Sequence, residues 1–241
     1  MDILILPGWL LPQSRYKNFV SNLQGNGVRI LAPELPGFEK FAPLLKPYKL
    51  DDYVEYLISF LDSNKIDKVV VIGHSFGGRL AMKLAVRCPE RISQIILSGV
   101  PVYQMDHRVR RLFKIVARAG NTVFSLPGLK RLQPLARKIL YRFTGSYDYM
   151  KTAGHIRETF KNCVDEKIVE LLPLITKPTL ILWGKDDVIT PLAVAQKLHK
   201  ELPQSALCVI PHAGHNVLID NSENAVREII NFLSIPYGIV K

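Results

Sequence analysis

The stretch Lys68-Val-Val-Val-Ile-Gly-His-Ser-Phe-Gly-Gly78 decides the reading of this chain. A short apolar run ending at Ile72 leads into G-x-S-x-G at Gly73 to Gly77, and a helical pattern continues from Phe76 to Arg87. The order predicts a buried strand, a tight turn and a helix. Ser75 then sits on the turn, where flanking glycines tolerate the crowding of the backbone. Its oxygen stands clear above the C-terminal edge of a sheet. The free N–H groups at the helix start face any negative charge that develops there. A glycine-rich strand-to-helix turn without chemistry would carry the same five letters, so the rest of the chain has to decide.

A serine hydroxyl is too weakly acidic to attack unaided at neutral pH; it needs a base, and the base needs an acid. Two later segments supply candidates. Thr179-Leu-Ile-Leu-Trp-Gly-Lys-Asp-Asp-Val188 is an apolar strand followed by Asp186 and Asp187. Ala206-Leu-Cys-Val-Ile-Pro-His-Ala-Gly-His215 is another, followed by His212 and His215. The chain order is therefore Ser, Asp, His. Together with Leu6-Pro-Gly-Trp-Leu10 and Pro33-Glu-Leu-Pro-Gly-Phe38, these motifs resemble the α/β-hydrolase superfamily, in order and across nearly the whole chain. Residues from Tyr149 to Pro191 also look like small bacterial carboxylesterase-like serine hydrolases.

The resemblance implies which neighbour does what. The family places its base after a glycine in the loop that follows the last strand, which selects His215 and leaves His212 as a loop packing residue. Its Gly-x-x-Asp spacing, counted from Gly184, selects Asp187, with Asp186 capping the turn or facing solvent. His74, before the nucleophile, is expected to be a satisfied buried histidine. The oxyanion donors are the backbone N–H groups of Phe76 and Trp9. Relatives commonly carry His-Gly where this chain has Pro7-Gly8, which changes the support of that loop and leaves its donor in place. Pocket walls are expected from Trp9, Leu10, Phe76, Val188 and Val217, with Phe113 and Phe143 from an inserted cap. Their apolar character favours an uncharged ester or acyl group.

Composition sets the outer bounds. The chain has 241 residues, 48% of them hydrophobic, with no apolar run long enough to cross a membrane. Met1-Asp-Ile-Leu-Ile-Leu-Pro7 lacks a basic start and reads as a first strand, not a signal peptide. Cys88, Cys163 and Cys208 are an odd, scattered set, which points to reduced thiols and a cytoplasmic location; Cys208 is expected in the core. No Cys/His spacing suits a metal, and the chemistry calls for no cofactor. The net charge of +11 is uneven: residues 101–147 hold ten Lys or Arg against one acid, Asp106, for +9. That basic segment fits a solvated surface, or weak contact with anionic lipid or an anionic substrate. No nucleic-acid motif accompanies it.

Six apolar runs predict parallel strands covered on both faces: Ile3–Leu6, Val28–Ala32, Lys68–Ile72, Gln94–Ser98, Thr179–Trp183 and Ala206–Ile210. Helical patterns separate them, giving an α/β class with a mostly parallel, doubly wound sheet. The stripe Tyr53, Val54, Leu57, Ile58, Leu61 is one helix, and Val226, Ile229, Ile230, Leu233 another. Thr190-Pro191 reads as an N-cap and first helical residue. Set against the family, the N-terminal hairpin is missing. Residues 1–101 and 178–241 form the core, and 102–177 form a helical cap, with stripes through Phe113 and Phe143.

The expected function is a serine hydrolase of carboxylic esters acting through an acyl-enzyme on a small molecule, as a monomer or dimer. A C–C bond hydrolase, aminopeptidase, thioesterase or acyltransferase would use the same triad. A ligand receptor without catalysis is the alternative of another class.

Overall fold

The computed structural model describes residues 1–25, 27–38, 41, 43–104 and 154–234. The strands are β1 (Asp2–Leu6), β2 (Arg29–Leu31), β3 (Val69–His74), β4 (Ile92–Ser98), β5 (Thr179–Gly184) and β6 (Ser205–Ile210). They form one six-stranded sheet in the order β2-β1-β3-β4-β5-β6, and every pairing is parallel. β3 is entirely buried, as a strand covered on both faces must be. The edge strand β6 is only partly buried along its middle. Cys208, expected in the core, is accordingly half-covered there.

Alternate residues of each strand feed two separate cores, because successive side chains leave opposite faces. One face carries Leu4, Leu6, Val69, Val71, Ile95, Leu97, Ile181 and Trp183. It is covered by α2 (Leu50–Ser63), α3 (Phe76–Arg87) and α5 (Leu192–Glu201). Within α2, Tyr53, Val54, Leu57 and Leu61 form the buried stripe. The other face carries Ile3, Ile5, Val70, Ile72, Ile96 and Leu182, under α1 (Lys17–Gln24), α6 (Val217–Asp220) and α7 (Ser222–Leu233).

Between β4 and β5 the described residues include one α-helix, α4 (Gly154–Asp165), and a 3-10 segment, Ile168–Leu174. Both pack on the α2–α3 face. The Thr159 hydroxyl accepts the Tyr48 amide at 2.8 Å, and Asn162 donates to the Tyr48 carbonyl at 3.2 Å. The buried Arg79 of α3 donates to the carbonyls of Pro101 (2.6 Å) and Glu166 (2.5 Å). It thus ties down both ends of the long β4–β5 connection. Lys83 pairs with Glu166 and Asp51 beside it. The helical stripes through Phe113 and Phe143, and the basic residues from 105 to 147, lie outside the described residues. No helix among the described residues is long and apolar enough to cross a membrane.

Candidate active site

Ser75 joins β3 to α3 with φ 51° and ψ −112°. A side chain at such a φ is sterically disfavoured, so the surrounding packing must hold it there. The glycines explain how. A Cβ on Gly77 would run into the Leu6 carbonyl, and one on Gly73 into the backbone of Gly77 and Gly78. The backbone donors are also engaged: Ser75 N–H reaches the Ser98 carbonyl at 2.8 Å, and Gly77 N–H the Pro7 carbonyl at 2.9 Å. The serine is therefore clamped between β1 and β4, as a turn bearing G-x-S-x-G requires.

The sequence candidates Asp187 and His215 meet. His215 Nδ1 lies 2.8 Å from Asp187 Oδ2. Asp187 is buried and fully satisfied: Oδ1 accepts the N–H groups of Ile189 (2.8 Å) and Thr190 (2.9 Å). Oδ2 accepts the Thr190 hydroxyl at 2.6 Å as well as His215. Burial alone would raise this carboxyl's pKa, but the His215 and Thr190 hydrogen bonds outweigh it and hold the pKa below the usual value. With Nδ1–H committed to Asp187, the neutral imidazole carries its lone pair on Nε2. The ring lies against the chain just past β4, with its Cε1 only 2.9 Å from where a Cβ on Gly99 would stand. Its centroid is 5.3 Å from that of His74, the residue preceding Ser75. Among the described residues no hydrogen bond joins the Ser75 hydroxyl to His215.

Thr190 was not among the sequence candidates. The expected N-cap role fails because its hydroxyl is spent on Asp187, and the residue flanking α5 is Pro191, without a side-chain cap. Trp183 fixes the same loop by donating its indole N–H to the Thr190 carbonyl at 2.8 Å. Asp186 is exposed. His212 is also exposed, at φ 56°, and so does not pack the loop as expected. His74 is fully buried and satisfied, between the Tyr16 hydroxyl and the His215 carbonyl. No group of three or more His, Cys, Asp or Glu among the described residues is placed to hold a metal ion.

The model of the alpha/beta hydrolase fold matches residues 3–222. The chain belongs to that family. Its relatives include the 2-hydroxymuconate semialdehyde hydrolase of Pseudomonas putida, 29% identical over 86% of this chain and 77% of that one. The pimeloyl-acyl-carrier-protein methyl ester esterase of Nitrosomonas europaea is 25% identical over 93% of this chain and 92% of its own. Among solved structures, a thermophilic esterase from Thermogutta terrifontis superposes with a TM-score of 0.73, covering 97% of this chain and 89% of that one at 20% identity, a likeness of fold. This chain is accordingly a hydrolase of the alpha/beta hydrolase fold.

Within this hydrolase, Trp9 and Phe76, the two expected oxyanion positions, stack edge to face with centroids 5.0 Å apart. Phe38 and Phe160 close the cluster on Trp9 at 5.7 and 5.1 Å. Neither was singled out as a pocket wall from sequence, although Phe38 ends one of the family motifs. Among the described residues the Trp9 indole nitrogen is buried without a hydrogen-bond partner. Leu10 packs partly buried at φ 50°, and Val188 is 61% exposed beside Asp187. Val217 goes elsewhere: it is buried in the core on the other sheet face, with Leu218 and Ile210. Phe113 and Phe143 lie outside the described residues.

Proposed function

We propose that this hydrolase cleaves carboxylic esters of small, largely apolar substrates through an acyl-enzyme at Ser75. The observation that carries the reading is the buried, four-donor Asp187 carboxylate bonded to His215 beside the strained Ser75 turn. His215 Nε2 takes the Ser75 proton as Oγ attacks the carbonyl carbon. The resulting oxyanion is held by the N–H groups of Trp9 and Phe76. Collapse expels the alcohol, which leaves with the proton from His215. A water then loses its proton to His215, attacks the acyl carbon and releases the acid with Ser75 restored. Asp187 fixes the ring and stabilises the imidazolium throughout. No cofactor enters these steps.

Residues 102–177 are the cap of this reading. Phe160 lies on Trp9 from that segment, which supports a roof over the cleft that keeps water from the oxyanion. The aromatic cluster supports an apolar acyl or alcohol group, and the unpartnered Trp9 indole N–H offers it one polar contact. Three free cysteines support a reducing, cytoplasmic setting.

A second reading rests on charge. The +9 of residues 101–147 and the carrier-protein ester named for the Nitrosomonas europaea relative support an anionic substrate, or one carried on an acidic protein. A screen of p-nitrophenyl esters of graded length, with thioesters, amides and vinylogous 1,5-diketones alongside, tests the first reading. Ester turnover that disappears in Ser75→Ala is the expected result. Turnover of the diketones alone would move the bond class to C–C. A kcat/KM for anionic esters that collapses with added salt would favour the second reading.

A further inference from the structure

Behind the proposed site, a line of buried groups joins the two loops that flank Ser75. The Gly8 N–H lies 3.0 Å from the Tyr16 hydroxyl, Tyr16 lies 2.6 Å from His74 Nδ1, and His74 Nε2 lies 3.1 Å from the His215 carbonyl. Tyr16 and His74 are both completely buried. Donor and acceptor roles are forced from either end. An amide can only donate, so the Tyr16 oxygen accepts from Gly8. A carbonyl can only accept, so His74 carries its proton on Nε2. Neutral His74 then has a bare Nδ1, which accepts a hydrogen bond from the Tyr16 O–H. The chain is therefore directional and complete, with no atom left unpaired.

Its two ends are informative. Gly8 is bonded to Trp9, the expected oxyanion donor on the β1 side. The Pro7 carbonyl is held by the Gly77 N–H and the Gly8 N–H by Tyr16, so the Pro7–Gly8 peptide is fixed on both sides, and the next peptide, Gly8–Trp9, is held at its carbonyl by the Leu11 N–H at 3.0 Å. The other end is the backbone of His215 itself.

We propose that Tyr16 and His74 are positioning residues that lock the oxyanion loop and the base loop into one geometry, so that the Trp9 donor and His215 are aligned on Ser75 together. The proposal rests on the serine-hydrolase reading above, and it gives Tyr16 and His74 no contact with substrate.

Tyr16→Phe removes one oxygen and leaves Gly8 N–H and His74 Nδ1 unpaired. It should lower kcat roughly 10- to 100-fold, less than outright loss of an oxyanion donor, with KM within about threefold of wild type. His74→Gln should do the same. The double variant should be no worse than either single, because a chain cut once is already cut. Binding of a trifluoromethyl ketone, which carries oxyanion charge when added to Ser75, should weaken by the factor lost from kcat. A packing role alone would lower Tm and leave that parallel unmoved. Wild-type kcat in Tyr16→Phe, or losses that add in the double variant, would overturn the proposal.

NMR of the wild-type protein gives a test independent of how the variants fold. The His74 ring should show its proton on Nε2. Its signals and the Gly8 amide should shift together when a fluorophosphonate blocks the site. A proton on Nδ1, or a His74 ring blind to phosphonylation, would refute the coupling. Ser75→Ala separates the two levels: full activity there places the nucleophile elsewhere, whereas a dead Ser75→Ala beside a wild-type Tyr16→Phe defeats the coupling alone.

Discussion

From Gly73 to Gly78 the chain is packed so closely that no Cβ fits at three of its glycines: it would meet the turn's own backbone at Gly73, the Leu6 and Pro7 backbone at Gly77, and the Val100 side chain at Gly78. Around Asp187 and His215 the packing is also close at Gly184, where a Cβ would meet the Ala213–Gly214 backbone, but the two side chains themselves are held by hydrogen bonds: the Ile189 and Thr190 N–H groups and the Thr190 hydroxyl on Asp187, and the His74 ring on the His215 carbonyl. Ser75, the proposed nucleophile, is thus held mainly by steric exclusion, and the Asp187–His215 pair mainly by hydrogen bonding. Steric placement tolerates no added atom. Polar placement tolerates substitution in steps, each step costing a fraction of the geometry.

The comparison breaks most visibly at its steric end. Ser75→Ala should lower kcat by roughly 10⁴-fold or more and abolish fluorophosphonate labelling, with the fold retained by circular dichroism. Gly77→Ala keeps every proposed catalytic group, yet should lose nearly as much, because its methyl group collides with the Leu6 carbonyl and moves the turn. An active Gly77→Ala enzyme would show that the turn is held by something other than exclusion.

At the polar end, His215→Ala and Asp187→Asn should each lower kcat by roughly 10³-fold or more. His212→Ala and Asp186→Asn, both at exposed positions, should stay within about tenfold. A crippled His212 or Asp186 variant would mean that the family spacing selects the wrong neighbour. Thr190→Val should cost less, about three- to tenfold in kcat, since one hydrogen bond of four to Asp187 is lost. It should also let the Asp187 pKa rise. Asp187's pKa is held low in the fold, so its contribution to stability is present above the unfolded value near ~3.9 and is lost as pH falls through the folded one. Acid unfolding of Thr190→Val should therefore begin at higher pH than in wild type.

The smallest effect is a slope. Burial, reinforced by the neighbouring His215 ring, pushes the His74 pKa down to about 3. The unfolded chain binds a proton there below ~6.5, and the folded chain does not. His74 thus favours the fold fully above that pH and progressively less as pH falls toward 3. Denaturant titrations should show stability declining by at most about 1.4 kcal/mol per pH unit from this group. His74→Gln should flatten that slope, and an unchanged slope would mean that other groups set it.

The six strands were legible because burial on both faces writes them as unbroken apolar runs, and only the edges misled. β2 is shorter than its run, and Cys208 on β6 is half-covered. The candidate site was legible where a local motif marks it, as in Gly73 to Gly77 or Gly184 to Asp187. Thr190 was misread because Thr-Pro before a helix has the form of a cap, and its true partner three residues back leaves no mark on that pattern. Tyr16 and His74 are 58 residues apart, so no window of sequence contains their bond. Val217 follows His215 closely, but α6 begins there and turns its side chain to the far core.

The bond from His74 to the His215 carbonyl spans 141 positions of chain. It joins the end of the third strand to the loop after the last. Closing so long a loop is entropically costly until the strands between them are paired. A nascent or clipped chain that stops before β6 has Ser75, Asp187 and His74 but lacks His215, the proposed base. On the proposed mechanism, catalysis switches on only when the last strand docks, and recovery of activity in a refolding time course reports completion of the sheet, where helix signals report only its beginning.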